Sequence, residues 1–214
     1  MDTEKIIENL KSFAIALILA LIIRAFIVQS FHIPSGSMIP SLLIGDFILV
    51  DKITYHFREP DRGDVVVFHF PLNEDIYYIK RIIGIPGDKI EIINGKVYIN
   101  GKPCKYEFAG FYTYKEKGET NNGKIFYESL PRSKDGEKKH MILKTGIQGD
   151  NVGVLVVPKG KYFVMGDNRN NSYDSRFWGF VDRDKIVGIA RIIFFSWDRE
   201  KHLPRLNRIF RMVN

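Results

Sequence analysis

Hydrophobic and polar residues follow two different patterns along this chain. Near its start, every residue from Phe13 to Ile23 is apolar, and Ala25 to Val28 continues the run after Arg24. The run is slightly shorter than the about 20 residues that cross a lipid bilayer as a helix. A buried core helix is the alternative. A run that is apolar on all sides and lies at one end of the sequence favours a membrane span.

We expect residues 12–30 to form one uncleaved transmembrane anchor, after a short cytoplasmic N-terminus at residues 1–11. Three acidic residues precede the apolar run and no Ala-x-Ala site follows it, which argues against a cleaved signal peptide. Two lysines before the run and a single arginine, Arg24, at its other end weakly favour an N-terminus on the cytoplasmic side.

Beyond Pro40 the pattern changes to short runs of β-branched and aromatic residues, separated by Gly-Asp and Asn-Gly turns. The predicted strands are Phe47–Val50, Val65–Phe68, Ile76–Ile85, Lys89–Ile93, Lys96–Ile99, Val154–Val157, Tyr162–Met165 and Ile186–Phe195. Asn94-Gly95, between two such runs, is the strongest kind of short-range hairpin signal. The sequence therefore predicts a mostly β fold.

The composition changes between residues 102 and 153. Tyrosines, lysines and glycines alternate there irregularly, and the run Ser133–His140 is almost wholly polar. We interpret residues 102–153 as an inserted β-ribbon subdomain with exposed loops. The core would then consist of residues 31–101 and 154–214, and its basic tail would form a short amphipathic turn on the domain or on lipid.

Charge and composition argue against several classes of function. The 214 residues include 32 lysines and arginines against 25 acids, a net charge of +7, but these cations are scattered, so we expect no nucleic-acid partner. Cys104 is the only cysteine and the five histidines never stand at metal-ligand spacing, so we expect no disulfide, no metal site and no cofactor. The chain also lacks a nucleotide-binding glycine motif and the Gly-x-Ser-x-Gly and Ser-x-x-Lys motifs.

The first candidate for chemistry lies between the apolar run and the first predicted strand. Pro34, Ser35, Gly36, Ser37 and Pro40 stand close together there. Proline holds itself and the preceding residue out of helix, and glycine lets the chain approach another group closely. The segment is either a stiff linker or a loop that presents a nucleophilic serine.

A serine becomes a good nucleophile only if a neighbouring base takes its proton. His32 lies too close to Ser37 in sequence to fold back readily, and nothing connects His69 to that serine. Lys80 lies in a predicted strand, on a face that it shares with apolar and aromatic residues. Desolvation there would lower the pKa of its amine and make it a competent general base. The alternative, a lysine that reaches water at a sheet edge, fits the pattern equally well.

The third candidate is the segment Gly166–Arg176, which follows a predicted strand and is dense in Asp, Asn, Ser and Arg. Residues of these types bond their own backbone in solvated turns. The same density also suits a scaffold of buried hydrogen bonds, in which acids and arginines bind one another bidentately.

Taken together and in this order, the segments resemble the sequence boxes of the bacterial type I signal peptidases (leader peptidases), which are serine proteases with a Ser/Lys dyad. The matching motifs are Pro34-Ser35-Gly36-Ser37-Met38-x-Pro40, Arg62-Gly63-Asp64-Val65-Val66-Val67-Phe68, Tyr78-Ile79-Lys80-Arg81-Ile82-Ile83-Gly84-Ile85-Pro86-Gly87-Asp88, and Gly166-Asp167-Asn168-Arg169 with Asp174-Ser175-Arg176. No motif covers the inserted ribbon. The resemblance implies a mostly antiparallel β catalytic core with a β-ribbon insertion.

The resemblance also implies a role for each matching residue. Ser37 would be the nucleophile and Lys80 the general base, while the Ser37 N–H and the Ser35 hydroxyl would form the oxyanion hole. Ser172 would orient the Lys80 amine. The site would be supported by Asp167, Arg169, Asp174, Arg176 and Arg81, and a shallow apolar pocket for a small substrate side chain would be lined by Ile33, Met38 and Ile79.

The function implied is removal of N-terminal signal peptides from exported precursor proteins, after sites of the Ala-x-Ala type. The enzyme would be a monomer in the bacterial cytoplasmic (inner) membrane, in contact with lipid, with its catalytic domain on the outer face. Two alternatives stay open. One is a self-cleaving repressor-type Ser/Lys peptidase, against which the apolar N-terminal run counts. The other is a non-catalytic membrane-anchored β domain that binds partners through its aromatic-rich ribbon.

Overall fold

A computed structural model describes residues 3–22, 27–116, 118–134, 136–146 and 150–213. The helices are α1 (Thr3–Ile22), α2 (Thr54–Phe57) and α3 (Ser175–Trp178), with 3₁₀ turns at Gly36–Met38, Arg183–Lys185 and Leu206–Arg208. The strands are β1 (Val28–His32), β2 (Asp46–Asp51), β3 (Val65–Phe70), β4 (Asn73–Gly84), β5 (Lys89–Ile93), β6 (Lys96–Ile99), β7 (Lys102–Pro103), β8 (Lys105–Glu116), β9 (Glu119–Pro131), β10 (Glu137–Lys144), β11 (Val152–Val156), β12 (Lys161–Met165), β13 (Val181–Asp182), β14 (Ile186–Asp198), β15 (Leu203–Pro204) and β16 (Arg211–Met212). The mostly antiparallel β architecture is confirmed.

The N-terminal region differs from the predicted span over residues 12–30. The helix α1 begins at Thr3, in the charged sequence before the apolar run, and ends at Ile22. Residues 28–30 belong to β1 instead, because their backbone pairs with β2 in antiparallel register. Residues 23–26 lie outside the described residues. Among the helices described, none combines the length and the apolar character needed to cross a bilayer.

The larger sheet runs in the order β1-β2-β14-β3-β4-β12-β13. Its centre is buried on both faces, because alternate residues of β3 enter two different core clusters. Val65 and Val67 pack in one cluster, with Met38 of the first 3₁₀ turn, and Val66 and Phe68 pack in the other. One face of this sheet therefore supports the turn that contains Ser37.

A smaller sheet in the order β11-β5-β6-β7 extends the core. The hairpin predicted at Asn94-Gly95 joins β5 to β6, and both of its turn residues have positive φ, 50° and 70°. Positive φ at both central residues is the requirement of a type I′ turn, which explains the Asn-Gly pair. Its buried residues, such as Ile90 and Ile92, pack with Phe163 of β12 and join the two sheets.

The region predicted as an inserted ribbon contains the three-stranded sheet β10-β9-β8, and β11, which starts just inside it, pairs with β5. The ribbon folds back onto the core. Tyr114 of β8 and Leu143 of β10 pack against Ile39, two residues after Ser37. The backbone of Leu143 also bonds that of Asp167 and Arg169. The ribbon, the Gly36–Met38 turn and the Gly166–Arg176 segment thus meet at one place.

Candidate active site

Ser37 and Lys80 meet above the larger sheet. The Ser37 hydroxyl is carried by the 3₁₀ turn Gly36–Met38, and the fully buried Met38 side chain fixes that turn to the core. The Lys80 Nζ lies 2.9 Å from the Ser37 Oγ and donates a second hydrogen bond of 2.9 Å to the Ile79 carbonyl. The two side chains are therefore in direct hydrogen-bond contact.

The environment of Lys80 changes its acidity. The side chain is buried, with only 4% of the residue exposed. Burial lowers the pKa of its amine to about 8, against the opposing effects of the Asp174 and Asp167 carboxylates. The Tyr78 ring, whose centroid is 5.2 Å from Nζ, covers one side. With this pKa about one amine in ten is neutral at pH 7, so a proton acceptor is available near neutrality.

Ser35 stands beside the nucleophile position. Its backbone is extended, with φ −126° and ψ 158°, and it caps the 3₁₀ turn without a side-chain hydrogen bond. The Ser35 Oγ is 3.5 Å from the Ser37 Oγ. A hydroxyl at this position can donate to an oxygen that develops negative charge next to Ser37.

Arg81 follows Lys80 in β4 and its side chain extends to the opposite face, into the core. It binds Asp167 bidentately, with Nε–Oδ1 and Nη2–Oδ2 distances of 2.8 and 2.7 Å, and donates to the Gly63 carbonyl. Burial acts to raise the pKa of Asp167, but the Arg81 charge holds it below its usual value. The pair fixes the backbone of the Gly166–Arg176 segment to β4 next to Lys80.

Arg169 is held by the ribbon. It binds Glu128 of β9 bidentately, and both side chains are almost fully buried. The Nε2 atom of His140, in β10, lies 3.1 Å from the Glu128 carboxylate. Burial, followed by the charge of Arg81, lowers the pKa of His140, so the ring is neutral at physiological pH. Two ribbon strands therefore contribute to the buried polar support of this segment.

Asp174 and Arg176 form the third buried pair. Asp174 accepts two hydrogen bonds of 2.8 Å from the Arg176 guanidinium and one of 2.9 Å from the Gly166 N–H. No hydrogen bond in the described structure joins Ser172 to the Lys80 amine, whose hydrogen bonds go to Ser37 and Ile79. The Ser172 hydroxyl instead acts on Asp174: burial acts to raise the pKa of that carboxyl, but Arg176 and Ser172 together lower it.

The backbone on either side of the nucleophile is tied to other segments. The Asn168 side-chain amide donates to the Gly36 carbonyl at 3.1 Å and to the Tyr114 hydroxyl at 2.8 Å. The Asn168 backbone N–H donates to the Ser37 carbonyl at 3.1 Å. The Glu116 carboxylate accepts from the Gly36 N–H at 2.9 Å. Three polar backbone atoms of the turn are thus fixed from outside it.

A groove of about 1060 Å³ runs past Ser37 and Lys80. Ile79 lines it, as predicted, together with Ser35, Tyr78, Tyr114 and Glu116. Ile33 and Met38 do not: their side chains are 2% and 0% exposed and pack in the core cluster below the turn. Their apolar side chains anchor the turn from below, and their part in a substrate pocket stays a prediction.

Comparisons with known proteins show the family of this chain. Residues 6–197 match the family described as "Signal peptidase, peptidase S26". The chain belongs to that family. It is 40% identical to signal peptidase I of Buchnera aphidicola subsp. Schizaphis graminum (strain Sg), covering 98% of this chain and 84% of the relative. It is 41% identical to that of Aquifex aeolicus (strain VF5), covering 82% and 79%, and 37% identical to that of Pseudomonas aeruginosa, covering 95% and 78%.

A solved signal peptidase I structure, from Enterococcus faecalis V583, is 28% identical to this chain. The match covers 62% of this chain and 97% of the solved one, with a TM-score of 0.36, which is too low for a comparison of the folds. Membership of the S26 family makes this chain a serine endopeptidase of the signal peptidase I kind, and the family is membrane-associated in bacteria.

Sequence reasoning missed several residues of this S26 peptidase that bear on the site. Glu128 binds Arg169, and His140 lies against the Glu128 carboxylate. The others, which contact the Gly36–Met38 turn or one another beside it, are Tyr114, Glu116 and Asn168. Asn168 stands inside a matching motif and could have been singled out there. The ribbon residues give no such signal, because they lie in strands where aromatic and polar residues alternate on both faces.

Proposed function

We propose that this peptidase removes N-terminal signal peptides from exported precursor proteins, with Ser37 as the nucleophile and Lys80 as the general base. One observation carries the proposal: the Lys80 Nζ is buried and lies 2.9 Å from the Ser37 Oγ. A serine needs a base within hydrogen-bond reach to be activated. The lowered pKa, about 8, supports a neutral amine in this role.

The chemistry follows from these positions. The neutral Lys80 amine takes the proton of the Ser37 hydroxyl as Oγ attacks the scissile carbonyl. The Ser37 N–H and the Ser35 hydroxyl stabilise the tetrahedral oxyanion. Lys80, now an ammonium, gives the proton to the leaving amine, which departs as the new N-terminus of the mature protein. Water then attacks the acyl-enzyme with Lys80 again as base, and Ser37 is restored.

We further propose that the apolar sequence before β1, which the structure describes as far as the end of α1, anchors the enzyme in the bacterial cytoplasmic membrane, with the N-terminus in the cytoplasm and the catalytic domain on the outer face. The exposed apolar side chains of α1, among them Leu10 at 62% and Phe13 at 68%, support this. Ser37 follows the apolar run within about ten residues, so it lies at most about 30 Å from the membrane surface. That distance suits a precursor that is itself held in the membrane.

Cleavage after small residues of the Ala-x-Ala type is part of the same proposal. Two apolar residues, Ile39 and Ile79, line the same groove as Ser37 and Lys80. A shallow apolar surface favours a small aliphatic side chain over a charged one, because it offers no partner to a charge.

The test is cleavage of an exported precursor in detergent or vesicles by the full chain. We expect Ser37→Ala and Lys80→Ala to abolish processing, and the matched controls Ser30→Ala and Lys89→Ala, both at exposed positions, to leave it intact. Wild-type rates in Ser37→Ala or Lys80→Ala would refute the dyad. A serine-directed covalent probe should label Ser37. Absence of labelling would favour a non-catalytic binding domain, and cleavage of the chain itself without precursor processing would favour a self-cleaving peptidase.

A further inference from the structure

One contact between the inserted ribbon and the Gly36–Met38 turn passes through a side-chain amide, that of Asn168. Asn168 is fully buried, and its Nδ2 atom donates one hydrogen to the Gly36 carbonyl and the other to the Tyr114 hydroxyl, at 3.1 and 2.8 Å. A carbonyl oxygen can only accept, so the amide nitrogen must face Gly36, and both of its hydrogens are then used. The Gly36 carbonyl thus decides which way the amide faces, and the Tyr114 hydroxyl, in β8, accepts its second hydrogen from the ribbon side.

The same asparagine also holds the nucleophile residue itself, because its backbone N–H donates to the Ser37 carbonyl at 3.1 Å. One residue, Asn168, thus donates to two successive backbone carbonyls, those of Gly36 and Ser37. Tyr114 is 9% exposed, and its ring packs on Ile39 at the far end of the turn. A group held at several points in this way keeps a fixed position relative to Lys80.

We propose that Tyr114 of the inserted ribbon is a positioning residue for the peptidase reaction, which acts through Asn168 on the carbonyl groups of Gly36 and Ser37. The hydroxyl of Tyr114 locks the Asn168 amide, and the amide holds the nucleophile turn at the distance from Lys80 that proton transfer requires. The ribbon is thereby part of the catalytic apparatus, although none of its residues touches the reacting atoms. The inference rests on the proposed roles of Ser37 and Lys80.

The decisive variant is Tyr114→Phe, which removes the hydroxyl and keeps the ring in its apolar contacts. A neutral hydrogen bond contributes about 0.5–1.5 kcal/mol, so we expect kcat, counted per Ser37 titrated by a serine-directed probe, to fall about three- to tenfold, with KM within twofold. Tyr127→Phe is the matched control: it removes a hydroxyl from an exposed tyrosine of the same ribbon, in β9, and should leave kcat unchanged.

A double-mutant cycle separates positioning from a general effect on stability. Asn168→Ala should lower kcat by more than Tyr114→Phe, because it removes the contact to Gly36 itself. In the Asn168→Ala background, Tyr114→Phe should then lower kcat much less than it does alone, because the other hydrogen bond described to the hydroxyl, from the Asn171 side-chain amide, is longer, at 3.3 Å. If Asn168→Ala does not fold, Asn168→Asp, which keeps the shape and removes both donors, takes its place in the cycle.

The outcomes are distinct. An unchanged kcat in Tyr114→Phe overturns the inference. It is also overturned if the kcat losses of Tyr114→Phe and Asn168→Ala multiply in the double variant. Neither result affects the proposed dyad. Equal losses of kcat in Tyr114→Phe and Tyr127→Phe also overturn it. Processing at wild-type rates by Ser37→Ala or Lys80→Ala, in contrast, overturns the proposed function, and the role of Tyr114 falls with it.

Discussion

The Lys80 amine and the Ser37 hydroxyl are 43 positions apart in sequence and 2.9 Å apart in space. They come from different kinds of structure, one from the interior of a long strand and the other from a single 3₁₀ turn. The buried amine is the titrating group of the pair. Its acidity therefore controls when the pair can react.

Activity should increase with pH up to the pKa of Lys80. The amine must be neutral to accept a proton, and burial lowers its pKa to about 8. Below that pH we expect kcat/KM on a peptide substrate to fall about tenfold for each pH unit, and above about pH 9 to level off. Lys80→Arg, which stays charged throughout, should be inactive at every pH. A wild-type profile that is flat between pH 6 and 8 would contradict a lysine base.

The desolvation of Lys80 should also lower the free energy of unfolding. A pKa lowered from 10.5 to about 8 means that the folded state disfavours the charged amine, which corresponds to about 3 kcal/mol at pH 7. The unfolded chain holds this proton up to its own pKa, so the penalty is full below about pH 8 and disappears as the pH rises to 10.5. We expect Lys80→Met to raise the free energy of unfolding at pH 7 while it abolishes activity.

Urea unfolding of both proteins at pH 7 and pH 10 checks this prediction. The stability difference between Lys80→Met and wild type should shrink at pH 10. Lys89→Met, at an exposed position, serves as the control and should change the free energy of unfolding by less than about 0.5 kcal/mol at either pH. A Lys80→Met protein that is less stable than wild type at pH 7 would show that the amine is not desolvated as described.

Ser35→Ala should slow the enzyme without inactivating it. The Ser35 hydroxyl lies 3.5 Å from the Ser37 Oγ and is free to donate to the oxyanion, and one such donor contributes about 10²–10³ in kcat. KM should stay close to the wild-type value, because the contact forms in the transition state. Steady-state kinetics on a peptide measures both quantities, with Ser30→Ala as the control. An unchanged kcat would exclude Ser35 from the oxyanion hole.

Gly166→Ala should displace the nucleophile. A Cβ atom at Gly166 would lie 2.3 Å from the Ser172 Oγ and 2.5 Å from the Ser37 carbonyl oxygen. Rotation of Ser172 can remove only the contact with its Oγ, because the Ser172 Cβ would also lie 2.5 Å away. The Ser37 carbonyl is backbone too, so relief of the clash requires a backbone shift, and we expect the Gly36–Met38 turn to take part in it. A shift of about 1 Å in a catalytic group can lower kcat about 10²-fold.

The control for Gly166→Ala is Gly153→Ala, where a Cβ would meet nothing within 4 Å. This second variant should keep wild-type kinetics. Comparable kcat values for the two alanine variants would mean that the Ser37 backbone is not confined by residue 166.

Local pattern was enough to predict most of the strands. The apolar run Phe47–Val50, the alternation in Lys89–Ile93 and the Asn94-Gly95 turn depend on neighbouring residues alone, and the structure has strands and a tight turn at these positions. The predicted span over residues 12–30 was less successful. Apolar character alone could not reveal that residues 28–30 pair with β2, since an edge strand and the end of a helix can have the same composition.

The site was predicted unevenly for a related reason. Lys80 stands out because a lysine among apolar residues is unusual, and the family motif paired it with Ser37. Ile33 and Met38, by contrast, are apolar residues next to a nucleophile, and only packing decides whether such residues face a groove or a core. Glu128 and Arg169, which form a buried ion pair, are 41 positions apart in the sequence, and their two segments share no sequence pattern. No local rule predicts such a contact.

The opposite orientations of Lys80 and Arg81 in β4 limit how this part of the chain can change in length. Deleting or inserting one residue within the strand would exchange the two faces, so that a guanidinium would point at Ser37 and an amine at Asp167. A change of two residues, or a compensating bulge, would restore the alternation. The hairpin end between β8 and β9 carries no such restriction. Length variation among related chains should therefore accumulate at loop ends and be absent from the middle of β4.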